Sequence, residues 1–151
     1  MGGRSSKGSL EQKSPIIKIV PRKQGEFRKK LVARIDAFNQ GKMGPTRWKA
    51  LSLEARNTKG KLVGGLTGFT YLGWLYVDIL FVDEKIRGQG LGKELLQEAE
   101  SWARKNGYGH VHLSSFSFQA PGFYKKQGYQ VHGKLGPFPK GHTRYYFKKK
   151  I

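Results

Sequence analysis

A glycine-rich turn between an apolar run and an amphipathic pattern is the segment of this sequence best suited to chemistry. It reads Asp83-Glu84-Lys85-Ile86-Arg87-Gly88-Gln89-Gly90-Leu91-Gly92-Lys93. Glycines let backbone amides come close to a ligand because no side chain intervenes. Free amides at a helix start, the helix dipole and the charges of Arg87 and Lys93 together attract an anion. The turn therefore predicts a binding site for a pyrophosphate.

Two better-known phosphate-binding patterns do not fit these residues. The dinucleotide fingerprint requires Gly where Lys93 stands, and the P-loop requires Gly where Arg87 stands and Ser or Thr where Glu94 stands. The turn thus supports neither NAD nor ATP as the ligand. A helix entry made rich in glycine for close packing alone is the alternative that spacing leaves open.

The charge of the chain also favours an anionic partner. Its 151 residues include 29 Lys and Arg against 10 Asp and Glu, which gives a net charge of +19 with neutral histidines. Such a surface attracts small polyanions and nucleic acids alike. The chain has no cysteine, which excludes disulfides, a thiolate nucleophile and thiolate metal sites. No metal site is expected, because His110 and His112 alternate on one strand without a clear third ligand.

Length and composition fit one domain behind a short tail. Residues 1–14 are rich in Gly, Ser and Lys, which predicts a disordered tail, and residues 15–151 carry enough apolar side chains for a single core. No stretch reaches the roughly 18 apolar residues of a membrane span, and no secretory signal opens the chain. We therefore expect a cytoplasmic protein without a membrane partner.

Hydrophobic periodicity predicts the elements that position the turn. A short strand at 16–20 precedes a helix that starts near Phe27 and ends before Pro45. Three antiparallel strands follow at 49–56, 62–71 and 74–82, and the last is nearly all apolar, which predicts burial on both faces. An amphipathic helix at 90–106 is the clearest element. A strand at 111–115, a short helix at 120–127 and strands at 129–135 and 143–148 complete the chain.

The turn and a later segment together resemble the GNAT superfamily of N-acetyltransferases. The family's phosphate-binding signature is Arg or Gln, two residues, Gly, one residue, then Gly or Ala, and Arg87-Gly88-Gln89-Gly90-Leu91-Gly92 matches it. Its second signature is a short helix with an aromatic-Tyr pair before a Gly-aromatic, and Ala120-Pro121-Gly122-Phe123-Tyr124-Lys125-Lys126-Gln127-Gly128-Tyr129 matches that. The resemblance covers the chain from about residue 16 and is strongest over 75–129.

The resemblance implies an α+β fold of three layers, in which a mixed β-sheet splayed at its centre is flanked by helices. It also implies acetyl-CoA as the co-substrate, with the pantetheine arm between the buried strand and the next one. Backbone groups of Leu80, Phe81 and Val82 would bind the arm. The pyrophosphate would be held by Arg87, Gly88, Gln89, Gly90, Leu91, Gly92 and Lys93. Ser117 stands where many members carry an Asn cofactor contact, which is a departure from the pattern.

Acetyl transfer to an amine needs a proton donor for the leaving thiolate and a base for the amine. The resemblance implies that Tyr124 is the donor, and its ordinary pKa of about 10 keeps it protonated at neutral pH; on spacing alone it is a core aromatic. Asp78 is the first candidate for the base, because desolvation on an apolar strand would suit it to taking a proton. Glu54, on a neighbouring strand, is the second. Alternatively, Asp78 caps a bulge or pairs with a basic neighbour.

These residues predict an N-acetyltransferase that moves acetyl from acetyl-CoA directly to a primary amine, most simply of a small molecule, in a ternary complex. The absence of cysteine agrees with this prediction. The alternatives are transfer to a charged tRNA or a protein by the same fold, and a non-catalytic module that binds RNA or coenzyme A. A homodimer is compatible with the sequence.

The acceptor pocket is expected to form from the first helix and the segments 41–47 and 136–142. The small number of carboxylates argues mildly against a highly cationic acceptor. The basic and aromatic ending Arg144-Tyr145-Tyr146-Phe147-Lys148 could stack on nucleobases, but it is more simply a terminal strand with a charged end. A nucleic acid is therefore not the favoured partner.

Overall fold

The computed structural model describes residues 25–45 and 48–151. The tail predicted at 1–14 and the strand predicted at 16–20 lie outside the described residues. The chain forms two compact units, one that ends at Phe38 and one that spans Asn39–Ile151. A single domain over 15–151 stays a prediction. Within the two described ranges, no helix combines the length and the apolar character that crossing a bilayer would require.

The first helix, α1, spans Gly25–Met43 and confirms the helix predicted from the apolar spacing. It runs through Gly41 and ends at Met43, directly before Gly44. Gly44 adopts the left-handed φ of +79°, and its N–H donates to the carbonyl of Gln40 at 2.9 Å. A glycine in this conformation after the last turn is a common way to end a helix.

Within the described residues, six strands form one mixed sheet in the order β1-β2-β3-β4-β6-β5. They are β1 (Lys49–Arg56), β2 (Leu62–Tyr71), β3 (Trp74–Val82), β4 (His110–Phe116), β5 (Gln130–Phe138) and β6 (His142–Lys150). The first three pair antiparallel as predicted, β3 and β4 pair parallel, and β6 lies between β4 and β5 with antiparallel neighbours. The predicted α+β fold with a mixed sheet is therefore confirmed.

Two helices, α2 (Leu91–Lys105) and α3 (Pro121–Lys126), follow β3 and β4. The apolar stripe of α2 belongs to the core, which it shares with inward-facing residues of five strands. The core includes Leu95, Leu96, Ala99 and Ala103 of α2 and Leu51, Leu66, Leu75, Val77, Val111, Leu113 and Phe147 of the sheet. Each fully buried Leu or Phe contributes about 1.5–3 kcal/mol relative to exposure, so this face holds α2 firmly on the sheet.

The sheet divides between β3 and β4, and we call this division the fork. The two parallel strands pair only from Trp74 opposite His110 to Val77 opposite Leu113. Beyond Val77, β3 continues to its end paired with β2 alone, and β4 continues paired with β6 alone. The predicted central splay is therefore present.

A β-bulge lies directly at the fork. The register between β2 and β3 passes from Gly68 opposite Val77 to Thr67 opposite Ile79, which leaves Asp78 as the extra residue. The prediction that β3 is buried on both faces is wrong for its second half, where Ile79 and Phe81 are exposed. The physical reason is that β3 has no β4 neighbour beyond the fork, so only the first half of the strand is enclosed.

Candidate active site

The glycine turn joins the end of β3 to α2 through a short 3-10 turn. Asp83 opens this turn, because its side chain accepts the N–H of Lys85 at 3.1 Å. Arg87 folds back, and its Nε donates to the carbonyl of Val82 at 3.1 Å. Gly88 and Gly90 then adopt left-handed φ values of +79° and +94°, which side chains disfavour. Local sequence thus dictates the shape of the turn.

Helix α2 begins with backbone amides that no side chain caps. Its N-cap is Gly90, and the first helical bond runs from the N–H of Glu94 to the carbonyl of Gly90 at 3.1 Å. The amides of Leu91, Gly92 and Lys93 therefore have no acceptor within the helix. Together with the helix dipole they provide donors for an anion.

Close packing does not explain the glycines of this turn. A Cβ on Gly88 would meet no heavy atom within 4 Å, and one on Gly90 would meet only the carboxylate of Glu94 at 3.9 Å. A Cβ on Gly92 would make ordinary contacts of 3.6 Å with Phe123 and Val82. These glycines provide the backbone conformation of the turn and open space for a ligand, and they do not serve tight packing. This observation favours the anion site over the packing alternative.

A cleft of about 830 Å³ connects the turn with the fork. Ligand sites usually have volumes of about 300–1,000 Å³, so the cleft has room for an extended ligand. The predicted site residues that line it are Asp78, Leu80, Phe81, Val82, Arg87, Gly88, Gly90, Leu91, Gly92, Lys93 and Tyr124. The structure does not bring Glu54, Gln89 or Ser117 to its lining.

The end of β3 offers one open backbone edge to this cleft. Leu80, Phe81 and Val82 pair with β2 on one side, whereas pairing with β4 stops at Val77. An extended ligand can bind such an edge as an added strand, through main-chain hydrogen bonds. The edge therefore suits the arm contact that the resemblance implies.

Tyr124 lies in α3 with its ring in the core. The residue is 8% exposed, and its ring packs against Phe123, Tyr129 and Phe147 at centroid distances of 5.1, 6.0 and 5.6 Å. Burial raises the pKa of the Tyr124 phenol above its ordinary value of 10, so the group is protonated at neutral pH. Tyr124 is thus both a core aromatic and a lining residue of the cleft, with a proton to donate there.

Asp78 lines the cleft where the sheet divides, but its environment differs from the predicted one. The side chain is exposed, so the prediction that an apolar strand desolvates it is wrong. The bulge is the physical reason, since it takes Asp78 out of the regular alternation of β3. Asp78 is the extra residue of the bulge itself, whereas the alternative was that it caps a bulge or pairs with a basic neighbour. The residue is therefore both exposed to water and part of the cleft lining.

Glu54 and Ser117 are committed to other contacts. Glu54 is exposed on β1, and its Oε2 lies 2.8 Å from Nη2 of Arg56. Ser117 Oγ accepts the N–H of Thr143 at 3.2 Å and lies 3.0 Å from Nδ1 of His142. Ser117 therefore ties the loop after β4 to the start of β6.

Sequence reasoning missed the cleft residues between the two matched motifs. Phe118 and Gln119 line the cleft from the loop that joins β4 to α3. Gln119 shapes this loop, because its Oε1 accepts the N–H of Phe116 at 2.8 Å. The signal in the sequence that could have identified these two residues is their position, since the loop directly precedes the segment that carries Tyr124.

Comparisons with known proteins agree on one family. Residues 27–129 match the model of the acetyltransferase (GNAT) family. An acetyltransferase of Agrobacterium fabrum is 36% identical over 115 residues, which cover 76% of this chain and 84% of the relative. Blasticidin-S acetyltransferase of Streptomyces morookaense is 39% identical over 95 residues, 62% of this chain and 69% of the relative.

A solved structure extends this agreement to three dimensions. The crystal structure of an acetyltransferase from Bacillus cereus superposes with a TM-score of 0.79 at 38% identity, covering 91% of this chain and 98% of that one. The amides, charges and open edge of the cleft fit the pyrophosphate and arm of coenzyme A. The chain therefore belongs to the GNAT family and is an acetyltransferase that takes acetyl-CoA as its acetyl donor.

Proposed function

We propose that this acetyltransferase transfers the acetyl group directly to the primary amine of a small molecule, within a ternary complex. The observation that carries the proposal is one continuous cleft that contains both the phosphate-binding turn and the pair Asp78 and Tyr124. Without a cysteine, the chain cannot form a thioester acyl-enzyme. A relative named for a small-molecule acceptor, blasticidin S, supports the acceptor class.

The chain's own groups account for donor binding and proton movement. The amides of Leu91, Gly92 and Lys93, with the charge of Arg87, would hold the pyrophosphate. Acetyl-CoA supplies an acetyl thioester, so a C–N bond forms while the C–S bond breaks. Tyr124 Oη would donate a proton to the departing sulfur. The Asp78 carboxylate would accept the proton that the amine loses, directly or through water.

Calorimetry and a thiol-release assay on the intact protein test this function together. We expect acetyl-CoA to bind with a dissociation constant between about 1 μM and 1 mM, the usual range for enzyme substrates. Free thiol should appear only when an amine is also present. No heat of association with acetyl-CoA would refute the proposal. A thiol signal without an amine would contradict the ternary complex.

Asp78→Asn should lower kcat at pH 7 by about tenfold, because the amine loses its base while water in the open cleft replaces it in part. Since a free primary amine has a pKa of about 10.4, the rate of the variant should rise with pH as the amine deprotonates by itself. A pH–rate profile of both proteins measures this. Glu54→Gln is the comparison variant. If kcat falls in Glu54→Gln and does not fall in Asp78→Asn, Glu54 is the base.

A further inference from the structure

An aromatic cluster borders the cleft on the β4 side of the fork. It consists of Phe116, Phe118, Phe138 and His142. Phe116 and Phe118 stack at 5.2 Å with an interplanar angle of 15°, and Phe138 meets Phe116 edge-on at 5.0 Å. His142 meets Phe118 at 4.7 Å. Phe118 is 61% exposed and lines the cleft, so the cluster offers a flat apolar surface to whatever enters.

Arg144 is held rigidly beside this cluster. On β6 it lies opposite Phe116, and its Nε and Nη2 donate to Ser114 Oγ at 3.0 and 2.7 Å. The guanidinium also lies over the rings of Phe116 and Tyr146, at 5.3 and 5.6 Å from their centroids. These contacts fix the plane of the guanidinium without neutralising it.

The charge of Arg144 has no counter-ion in the part of the chain that the structure describes. The ion pairs found there join Lys29 to Glu26, Arg56 to Glu54 and Lys149 to Glu100. Guanidinium has five N–H donors in a planar fork, and Ser114 uses only two of them. A carboxylate is the group that fits such an arginine, because it can accept two parallel hydrogen bonds.

Arg144 lies close to the reacting end of the cleft. Its partner Ser114 lines the cleft and directly follows Leu113, which forms the last β3–β4 pair with Val77. Asp78 directly follows Val77 on the other arm of the fork. The arginine and the candidate base therefore stand on opposite arms of the same fork. Arg144 is not itself a lining residue and adjoins the cleft through Ser114, whereas Phe118 lines the cleft directly.

We infer that the acceptor is a primary amine with a carboxylate near the nitrogen and a flat apolar body, in which Arg144 binds the carboxylate and Phe118 packs against the body. This inference rests on the proposed function. The transfer itself is unchanged: the C–N bond forms, the C–S bond breaks, Asp78 takes the amine proton and Tyr124 protonates the sulfur. A polycationic amine is disfavoured, because it would place unpaired positive charge beside Arg144, Arg87 and Lys93.

A panel of matched amines tests the acceptor class in the thiol-release assay. Phenylalanine has all three features, phenylalanine amide lacks the carboxylate, alanine lacks the flat body, and spermidine is a polycation. We expect kcat/KM for phenylalanine to exceed that of each other amine by at least about tenfold, as the loss of a charge-assisted bond or of an aromatic contact predicts. If spermidine gives the highest kcat/KM of the panel, the inference is overturned.

Variants then test whether Arg144 and Phe118 determine the selectivity for the acceptor amine. Arg144→Gln should lower the ratio of kcat/KM for phenylalanine over its amide by about tenfold or more, mainly through KM, and Arg144→Lys should keep part of the ratio. Phe118→Ala should lower the ratio for phenylalanine over alanine. Lys148→Gln is the matched control, because it removes the same charge from the same face of β6, opposite His112. Its ratios should stay at the wild-type values.

Acetyl-CoA calorimetry on each variant separates loss of the acceptor site from loss of the fold, since we expect the same donor affinity throughout. An Arg144→Gln variant that binds the donor normally and keeps the wild-type ratio overturns the inference while the proposed function stands. If the wild-type protein binds acetyl-CoA but releases thiol with none of these amines, the inference fails and the proposed function does not. If it does not bind acetyl-CoA, both fail.

Discussion

Tyr124→Phe should lower kcat by about 10²- to 10⁴-fold, the usual range for removing a general acid, and leave acetyl-CoA affinity within about twofold. Phenylalanine keeps the ring that packs against Phe123 and Phe147, so the variant loses the donated proton and little else. Thiol release at saturating concentrations of both substrates measures kcat. Calorimetry measures the donor affinity separately.

Tyr129→Phe is the matched control for this prediction. Tyr129 is also buried and packs against Tyr124, but its hydroxyl donates to Glu100 at 2.9 Å, and the residue does not line the cleft. Its removal should cost stability, about 0.5–3 kcal/mol, and leave kcat near the wild-type value. Tyr124→Phe with full turnover would end the donor assignment.

The pH dependence of the reaction follows from the same residue. Burial raises the pKa of Tyr124 above 10, and the protonated phenol is the active form. The contribution of the donor is therefore complete at lower pH and disappears only as the pH rises through that raised pKa. We expect no fall in kcat due to Tyr124 below pH 10. A descending limb at neutral pH that Tyr124→Phe abolishes would contradict this.

For the described residues, local sequence was sufficient to predict the main helices and strands, but not all of the strand pairings. The turn at 57–60 and the alternation on either side of it are local signals, and they gave β1 and β2 with their antiparallel pairing. The burial of β3 was mispredicted because it depends on where pairing with β4 stops, after Val77, and β4 is distant in sequence. The position of β6 between β4 and β5 is set by contacts distant in sequence, so the sequence predicted only a terminal strand with a charged end.

The candidate site shows the same division between local and distant causes. The left-handed glycines and the uncapped helix start are properties of one short segment, so the anion site could be predicted from it. Arg144 was interpreted as the charged end of a strand, because only the pairing of β6 with β4 brings it to Ser114. Phe118 could not be identified as a site residue from the sequence, because the position of its loop beside the cleft depends on the fork between β3 and β4.

A buried ion pair supplies the second large effect that we predict, on stability. Glu100 of α2 is 4% exposed, and its two carboxylate oxygens accept from Lys149 Nζ at 2.8 and 2.9 Å. One of them also accepts from the hydroxyl of Tyr129 at 2.9 Å. These bonds tie α2 to β6 and to the residue that precedes β5. A negative charge in this position is tolerated only while its donors are present.

Lys149→Met should lower the free energy of unfolding by about 3–5 kcal/mol, because it keeps the aliphatic stem but leaves the Glu100 charge buried with one neutral donor. For a chain of this size that is a fall in Tm of roughly 6–20 °C. Lys148→Met, on the exposed neighbour, should stay within about 0.5 kcal/mol of wild type. The double variant Glu100→Leu with Lys149→Met should recover stability, since it removes both charges together. Urea unfolding of wild type and these three variants measures the losses, and equal losses at 148 and 149 would mean that general charge, and not the Glu100–Lys149 pair, determines stability.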